Sequence, residues 1–357
     1  MVSPGNYNTQ VFFYVPFQKD NLSEVPKNIK GYWEWISQHR GIGEGKYSWT
    51  LQTYLHLKNR GNQYKIVQVL PKKGIVISHK DFLPAYLVPP PDVFLVCIKP
   101  DRKEHPCAHH YIVQNEKDKY IHQIGQTKVS VLPFWPQPSL IEREIGRNAQ
   151  CTNIAYIGRP VNLAEELRSS EWQEKLQALG FHWHTPSLEE WNDYSTIDAT
   201  VSIRSFGRHR ISSSPIEDPD SKPPSKLINS WLAGVPTVVG DESAYRNIKK
   251  NPLDFIEVST EPELIDALLR LREDHELYNK MIENGKLRAR EYTTETLASL
   301  WENTIEQIIG PSYEKWRRAS RTRRTFSNIT SMMKYLANPG NILDWIGVLL
   351  RLHRKKG

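Results

Sequence analysis

The stretch Lys222–Gly240, KPPSKLINSWLAGVPTVVG, decides the fold because it joins a punctuated helix to a buried strand. Pro223 and Pro224 stop whatever precedes them, and Ser225 is a good N-cap. The spacing predicts a helix over Lys226–Ala233, closed by Gly234 in the C′ position, then a strand over Thr237–Val239. A helix start flanked by Lys222 and Lys226 offers free backbone N–H groups, a positive dipole end and two cations. A diphosphate is the ligand such an end suits.

Outward from this segment, short apolar runs alternate with helical stretches. Ile154–Ile157, Phe181–His184, Ala199–Ile203 and Phe255–Val258 read as further strands, with a helix near Leu163–Ala178. Thr260 and Glu263 form a capping box, after which Leu264, Ala267, Leu268 and Leu271 share one helical face. Such alternation implies parallel strands covered by helices, a Rossmann-like domain. The first half repeats the theme. Val11–Val15, Lys65–Leu70, Ile75–Ile77, Val93–Ile98, Tyr111–Val113 and Val129–Leu132 are strand candidates, and Trp49–Lys58 reads as a helix ended by Gly61. The stretch from Pro16 to Gly45 has no assignment. Pro133–Pro138, PFWPQP, is too proline-rich for regular structure and is expected to be the hinge. The expected divisions are a first domain over 1–145, a second over 146–310 and a basic tail over 311–357, with a ligand cleft between the domains.

Ligands of open α/β sheets lie beyond the C-terminal strand ends. Gly158 and Arg159, Arg204, and the start at Ser225 and Lys226 all fall there. Together they predict an anion site in which Arg159 and Arg204 add charge-assisted hydrogen bonds.

The run Pro224–Pro236, PSKLINSWLAGVP, resembles the nucleotide-sugar-binding segment of GT-B glycosyltransferases, with its Pro-x-Lys-Leu start and Ala-Gly-x-Pro close. NIAYIGR at 153–159, LPFWPQPSLIER at 132–143, SIRSF at 202–206 and GDESAY at 240–245 also resemble a bacterial group of these enzymes. The likeness covers about 11–310 and is strongest in the second half. It implies two Rossmann-like domains across a cleft, a nucleotide-sugar donor and no bound metal or other cofactor. It also implies that Arg159 and Lys226 contact the donor diphosphate. Asn229 stands where a glutamate usually bonds the ribose hydroxyls, and it loses the charge-assisted bond. Ser221 replaces the other acid of the paired pattern, so retaining and inverting chemistry both stay open. Glu242 lies within reach of the donor sugar, or is an ordinary loop acid. On the acceptor side, His39 and Glu44 are candidate bases, with Arg40 beside them in HRGIGEGK. Alternatives are a sugar-nucleotide epimerase or phosphorylase on the same fold, and a non-catalytic sugar-nucleotide or carbohydrate-binding module.

Other signals are weaker. Asp218 and Asp220 have the spacing of a metal-binding pair but sit in a Ser/Pro-rich loop. His105, Cys107, His109 and His110 fit no standard zinc spacing. The glycines at 41, 43 and 45 lack the dinucleotide fingerprint.

An apolar fraction of 39% excludes a disordered chain. Three cysteines are too few for a disulfide framework and point to reduced thiols in the cytoplasm. The opening MVSPGNYNTQ carries no signal-peptide pattern, and the apolar run Ile342–Leu350 is too short to span a bilayer. The net charge of +7 is concentrated: residues 311–357 carry 11 Lys/Arg against two acids, leaving the rest at −2. Nucleic-acid binding by the whole chain is therefore not expected. Two readings fit the tail: a peripheral contact with an anionic membrane at its inner face, where lipid-linked acceptors are met, or helices packed back on the domains.

Overall fold

The structure, a computed structural model, describes residues 10–16, 25–36, 45–118, 129–206 and 222–338. Strands β1 (Val11–Tyr14), β2 (Lys65–Val67), β3 (Lys73–His79), β4 (Asp92–Ile98), β5 (His110–Val113) and β6 (Val129–Val131) form one sheet, ordered β2-β1-β3-β4-β5-β6. Every pairing is parallel. Strand alternation sends Phe13, Ile75, Ile77, Phe94, Val96 and Ile98 into one buried cluster and Phe12, Val76, Val93, Leu95 and Cys97 into another. Both faces are covered, as a parallel sheet requires. Helix α1 (Ile29–Trp35) supplies Tyr32 and Trp35 to the first cluster. A helical stretch from Gly45, π-helical over Ser48–Gln52, leads into α2 (Thr53–Asn59), and Gly61 at φ 90° follows it.

The second sheet holds β7 (Asn153–Ala155), β8 (His182–His184), β9 (Ala199–Ser202), β10 (Thr237–Gly240) and β11 (Ile256–Val258), ordered β11-β10-β9-β7-β8 and again parallel. Its helices are α3 (Ser170–Ala178), α4 (Ser225–Ala233), α5 (Ser243–Ile248), α6 (Glu261–Glu273) and α7 (His275–Ala289). The two Rossmann-like domains expected from the sequence are present. Helix α3 starts later than expected because Ser169 accepts the Trp172 N–H at 3.1 Å and fixes the first turn there. The capping box of α6 is offset. Thr260 accepts the Glu263 N–H at 3.3 Å, but the Glu263 carboxylate reaches back to the N–H of Ser259.

The proline-rich linker is pinned on both sides. Buried Trp135 donates its indole N–H to Thr53 Oγ1 at 2.7 Å, and the Gln137 N–H donates to Asn229 Oδ1 at 3.0 Å.

Packing changes before the expected boundary at 310. Helices α8 (Thr294–Asn303) and α9 (Gly310–Arg317) return to the first sheet, where Leu297, Trp301, Ile305, Ile309 and Tyr313 join its core. These residues recur every four positions. That step overshoots an α-helical turn by about 40° each time, and the wider π turns over Thr304–Ile309 take up the drift. Helix α10 (Arg321–Leu336) follows, its Ser320 cap accepting the Arg323 N–H at 3.2 Å. Arg324 donates to Pro91 O at 2.9 Å and pairs with Asp92, and buried Asn328 donates to Pro89 O at 3.4 Å. The described part of the tail thus packs back on the first domain. These α10 contacts fall at and just before the start of β4, at the end of the sheet opposite the C-terminal edge.

The C-terminal edges of the two sheets meet. Lys222 Nζ lies 2.9 Å from Asp101 Oδ2, beyond β4, and Asn115, beyond β5, donates to Lys222 O at 3.4 Å. Asn247 in α5 donates to Asn115 Oδ1.

Candidate functional site

The site is built on the first turn of α4. Pro224, not Ser225, occupies the cap position; it has no hydroxyl, and no side chain caps the helix. Ser225 is the first helical residue, which corrects the expected N-cap. The first-turn N–H groups therefore lack a side-chain acceptor and stay available to a ligand. At the other end, Gly234 closes the helix at φ 71°, as expected.

Lys226 turns from this end toward the loop after β7. A Cβ on Gly158 would stand 2.7 Å from Lys226 Cε and 3.1 Å from the Tyr156 hydroxyl, so glycine is what lets the lysine lie there. Lys226 Nζ sits 5.4 Å from the centre of the Tyr156 ring, a cation–π contact. The Tyr156 hydroxyl donates to Arg159 O at 3.0 Å, tying the Arg159 backbone to the same ring. The Arg159 side chain is exposed.

Burial, then Arg204 and Lys222, push the Lys226 ammonium down to about 7. A buried lysine whose charge is disfavoured by two neighbouring cations marks a site that an anion relieves. Both neighbours have internal acids: Lys222 pairs with Asp101 and Arg204 with Glu242. Glu242 Oε1 and Ser243 Oγ are buried and have no hydrogen-bond partner among the described residues. Glu242 is thus placed with the cations, at the end of β10, rather than as a free loop acid.

Asn229 faces the linker, because its Oδ1 accepts the Gln137 N–H. The residue expected at the ribose thus also fastens α4 to the interdomain segment. His39, Arg40 and Glu44 lie outside the described residues, as do Asp218, Asp220 and Ser221. The histidine cluster is not convergent. His105 bonds Pro84 O at 3.0 Å, His109 accepts the Leu95 N–H at 2.9 Å and stacks on Phe94, and His110 bonds Ser130 at 2.9 Å. Among the described residues no group of three His, Cys, Asp or Glu could hold a metal ion.

Tyr156, Asp101, Asn115 and Gln137 were missed by sequence reasoning. Asp101 and Asn115 follow the strands β4 and β5, so the rule that singled out Arg159 and Arg204 applies equally to the first sheet.

No protein-family model and no curated protein sequence matches the chain. Among solved structures it is similar to AviGT4, a glycosyltransferase involved in avilamycin A biosynthesis, at 10% identity and a TM-score of 0.47, covering 85% of this chain and 98% of that one. It is also similar to TarM, at 11% identity and a TM-score of 0.45, covering 70% of this chain but only 57% of TarM. A third is Anabaena Alr3699/HepE in complex with UDP-glucose, at 10% identity and a TM-score of 0.44, with 65% and 78% covered. Likeness at this distance carries no argument about chemistry, which rests on the residues of the site.

Proposed function

We propose that this chain is a glycosyltransferase of the GT-B type, moving a sugar from a nucleotide-sugar donor to a hydroxyl acceptor. The observation that carries the reading is the seat of Lys226, held against Gly158 at an uncapped helix start with Arg204 and Lys222 close by. A nucleoside diphosphate is the leaving group of such a transfer, and its negative charge grows as the bond to the sugar breaks. Donors and cations already aimed at that position stabilise the transition state more than the ground state. Arg159, at the end of β7, belongs to the same set.

The acceptor enters from the first domain, the side to which His39, Arg40 and Glu44 belong. A glycan or lipid-linked glycan, in polysaccharide or glycolipid synthesis at the inner face of a membrane, is the acceptor this reading favours. The bond between Asn229 and Gln137 favours one second reading, a sugar-nucleotide-binding module without transfer, because it draws on the group that would hold the ribose.

Calorimetry with nucleoside diphosphates and sugar nucleotides tests the proposal. Lys226→Ala is expected to weaken diphosphate binding by about tenfold or more while the chain stays folded. Unchanged affinity removes the site. Product analysis with a labelled sugar nucleotide separates transfer from binding alone.

A further inference from the structure

We infer that the outward face of α10 docks on an anionic bilayer. This deepens the acceptor side of the proposed function and owes nothing to the donor site. The helix has two faces. Arg324, Asn328 and Met332 point to the first domain, and Asn328 and Met332 are buried. At 100° per residue, Phe326, Ile329 and Met333 fall on the opposite side. They are 70%, 46% and 66% exposed, an apolar stripe with no partner among the described residues on an otherwise docked helix.

Charge identifies the occupant. The sequence of α10, RTRRTFSNITSMMKYL, contains no acidic residue. Arg321 and Arg324 are engaged with Asp92, whereas Arg323 and Lys334 form no ion pair among the described residues. By the same helical projection, those two cations flank the apolar stripe on one side. Apolar residues bordered by cations match the boundary of an anionic bilayer, where the chains take up the stripe and the headgroups meet Arg323 and Lys334. A second copy fits less well, since a two-fold pairing of this face would bring the same cations together with no acid to answer them. The helix lies at the end of β4 away from the cleft, so docking leaves the cleft edge open.

Flotation of the full-length chain with phosphatidylcholine vesicles, with and without phosphatidylserine, tests the inference. The expected result is binding that requires phosphatidylserine and weakens as salt is added. A Phe326→Ser, Ile329→Ser, Met333→Ser variant, altered only at exposed positions, should bind about tenfold more weakly. Arg323→Glu with Lys334→Glu should abolish the preference for phosphatidylserine. A chain that floats with neither vesicle overturns the inference, and so does a triple variant that binds like the parent. A parent dimer that the triple variant converts to a monomer also overturns it, in favour of a second copy. No nucleotide enters the assay, so its failure leaves diphosphate binding standing.

Discussion

Asp101 Oδ2 and Lys222 Nζ, 121 residues apart in the chain, lie 2.9 Å from each other and join the end of β4 to the segment that opens α4. The first domain thereby neutralises a cation at the start of α4. Burial raises the Asp101 pKa, but the charge and hydrogen bond of Lys222, and then Arg102, pull it below its ordinary value. A carboxylate depressed in this way stays ionised above its ordinary value of 3.8, and the bridge is lost only as pH falls through the lower folded value.

A diphosphate arriving at α4 must compete with that carboxylate for Lys222. Asp101→Asn keeps the shape and removes the competitor. A partly exposed bridge is worth up to about 1 kcal/mol, so nucleoside-diphosphate affinity should rise by up to about fivefold. Calorimetry reads this directly. A fall in affinity would mean that Asp101 positions Lys222 for the ligand instead.

Donor binding should also depend on pH through Lys226. With its pKa at about 7, the lysine is partly neutral in the free chain near neutrality. A bound diphosphate favours the ammonium, so binding takes up a proton. Affinity should be level below about pH 7 and fall above it, by up to about tenfold per unit. Stability runs the other way. Between about 7 and the ordinary lysine value of 10.5, the unfolded chain holds more protons, so the free protein gains stability as pH rises. Lys226→Arg should remove both trends. Calorimetry in buffers of different ionisation heat measures the proton uptake, and its absence would place the lysine away from the phosphates.

The bond between Asn229 and Gln137 separates two effects of one position. Asn229→Ala should cost about 1 kcal/mol of stability, because a half-buried N–H loses its acceptor. Asn229→Asp keeps that acceptor and adds charge near the ribose, so stability should hold while sugar-nucleotide affinity increases. Denaturant unfolding and calorimetry on both variants check this. An aspartate that destabilises as much as alanine would show that the carboxylate cannot take the amide's place.

The second sheet was legible because its strands are short apolar runs bounded by turn residues. Strand β3 was read too short, since Ser78 and His79 are polar yet buried. Ser78 donates to Tyr14 O at 2.6 Å, and the His79 N–H donates to Thr50 Oγ1 at 3.1 Å, satisfaction that comes only from the tertiary fold. The return of α8 and α9 to the first core left a mark in the four-residue stripe from Leu297 to Tyr313. That spacing matches neither a plain helix nor a coiled coil, so its target was not evident. In the site, Gly158, Arg204 and Lys226 were found from strand ends and helix starts. Asp101, the acid that answers Lys222, was not, because an ion pair across domains leaves no local pattern.

Glu242 offers the sharpest separation of binding from chemistry. One carboxylate oxygen pairs with Arg204, and the other, just after β10, is buried with no hydrogen-bond partner among the described residues. Glu242→Gln preserves volume and frees Arg204 for the diphosphate. Affinity for a nucleoside diphosphate should therefore hold or increase. Turnover of a sugar nucleotide should fall by about a hundredfold, the scale of losing one preorganised polar group at a reacting centre. The two quantities are measured separately, by calorimetry and by product formation. Equal losses in both would assign Glu242 to the architecture of the loop, with no part in handling the sugar.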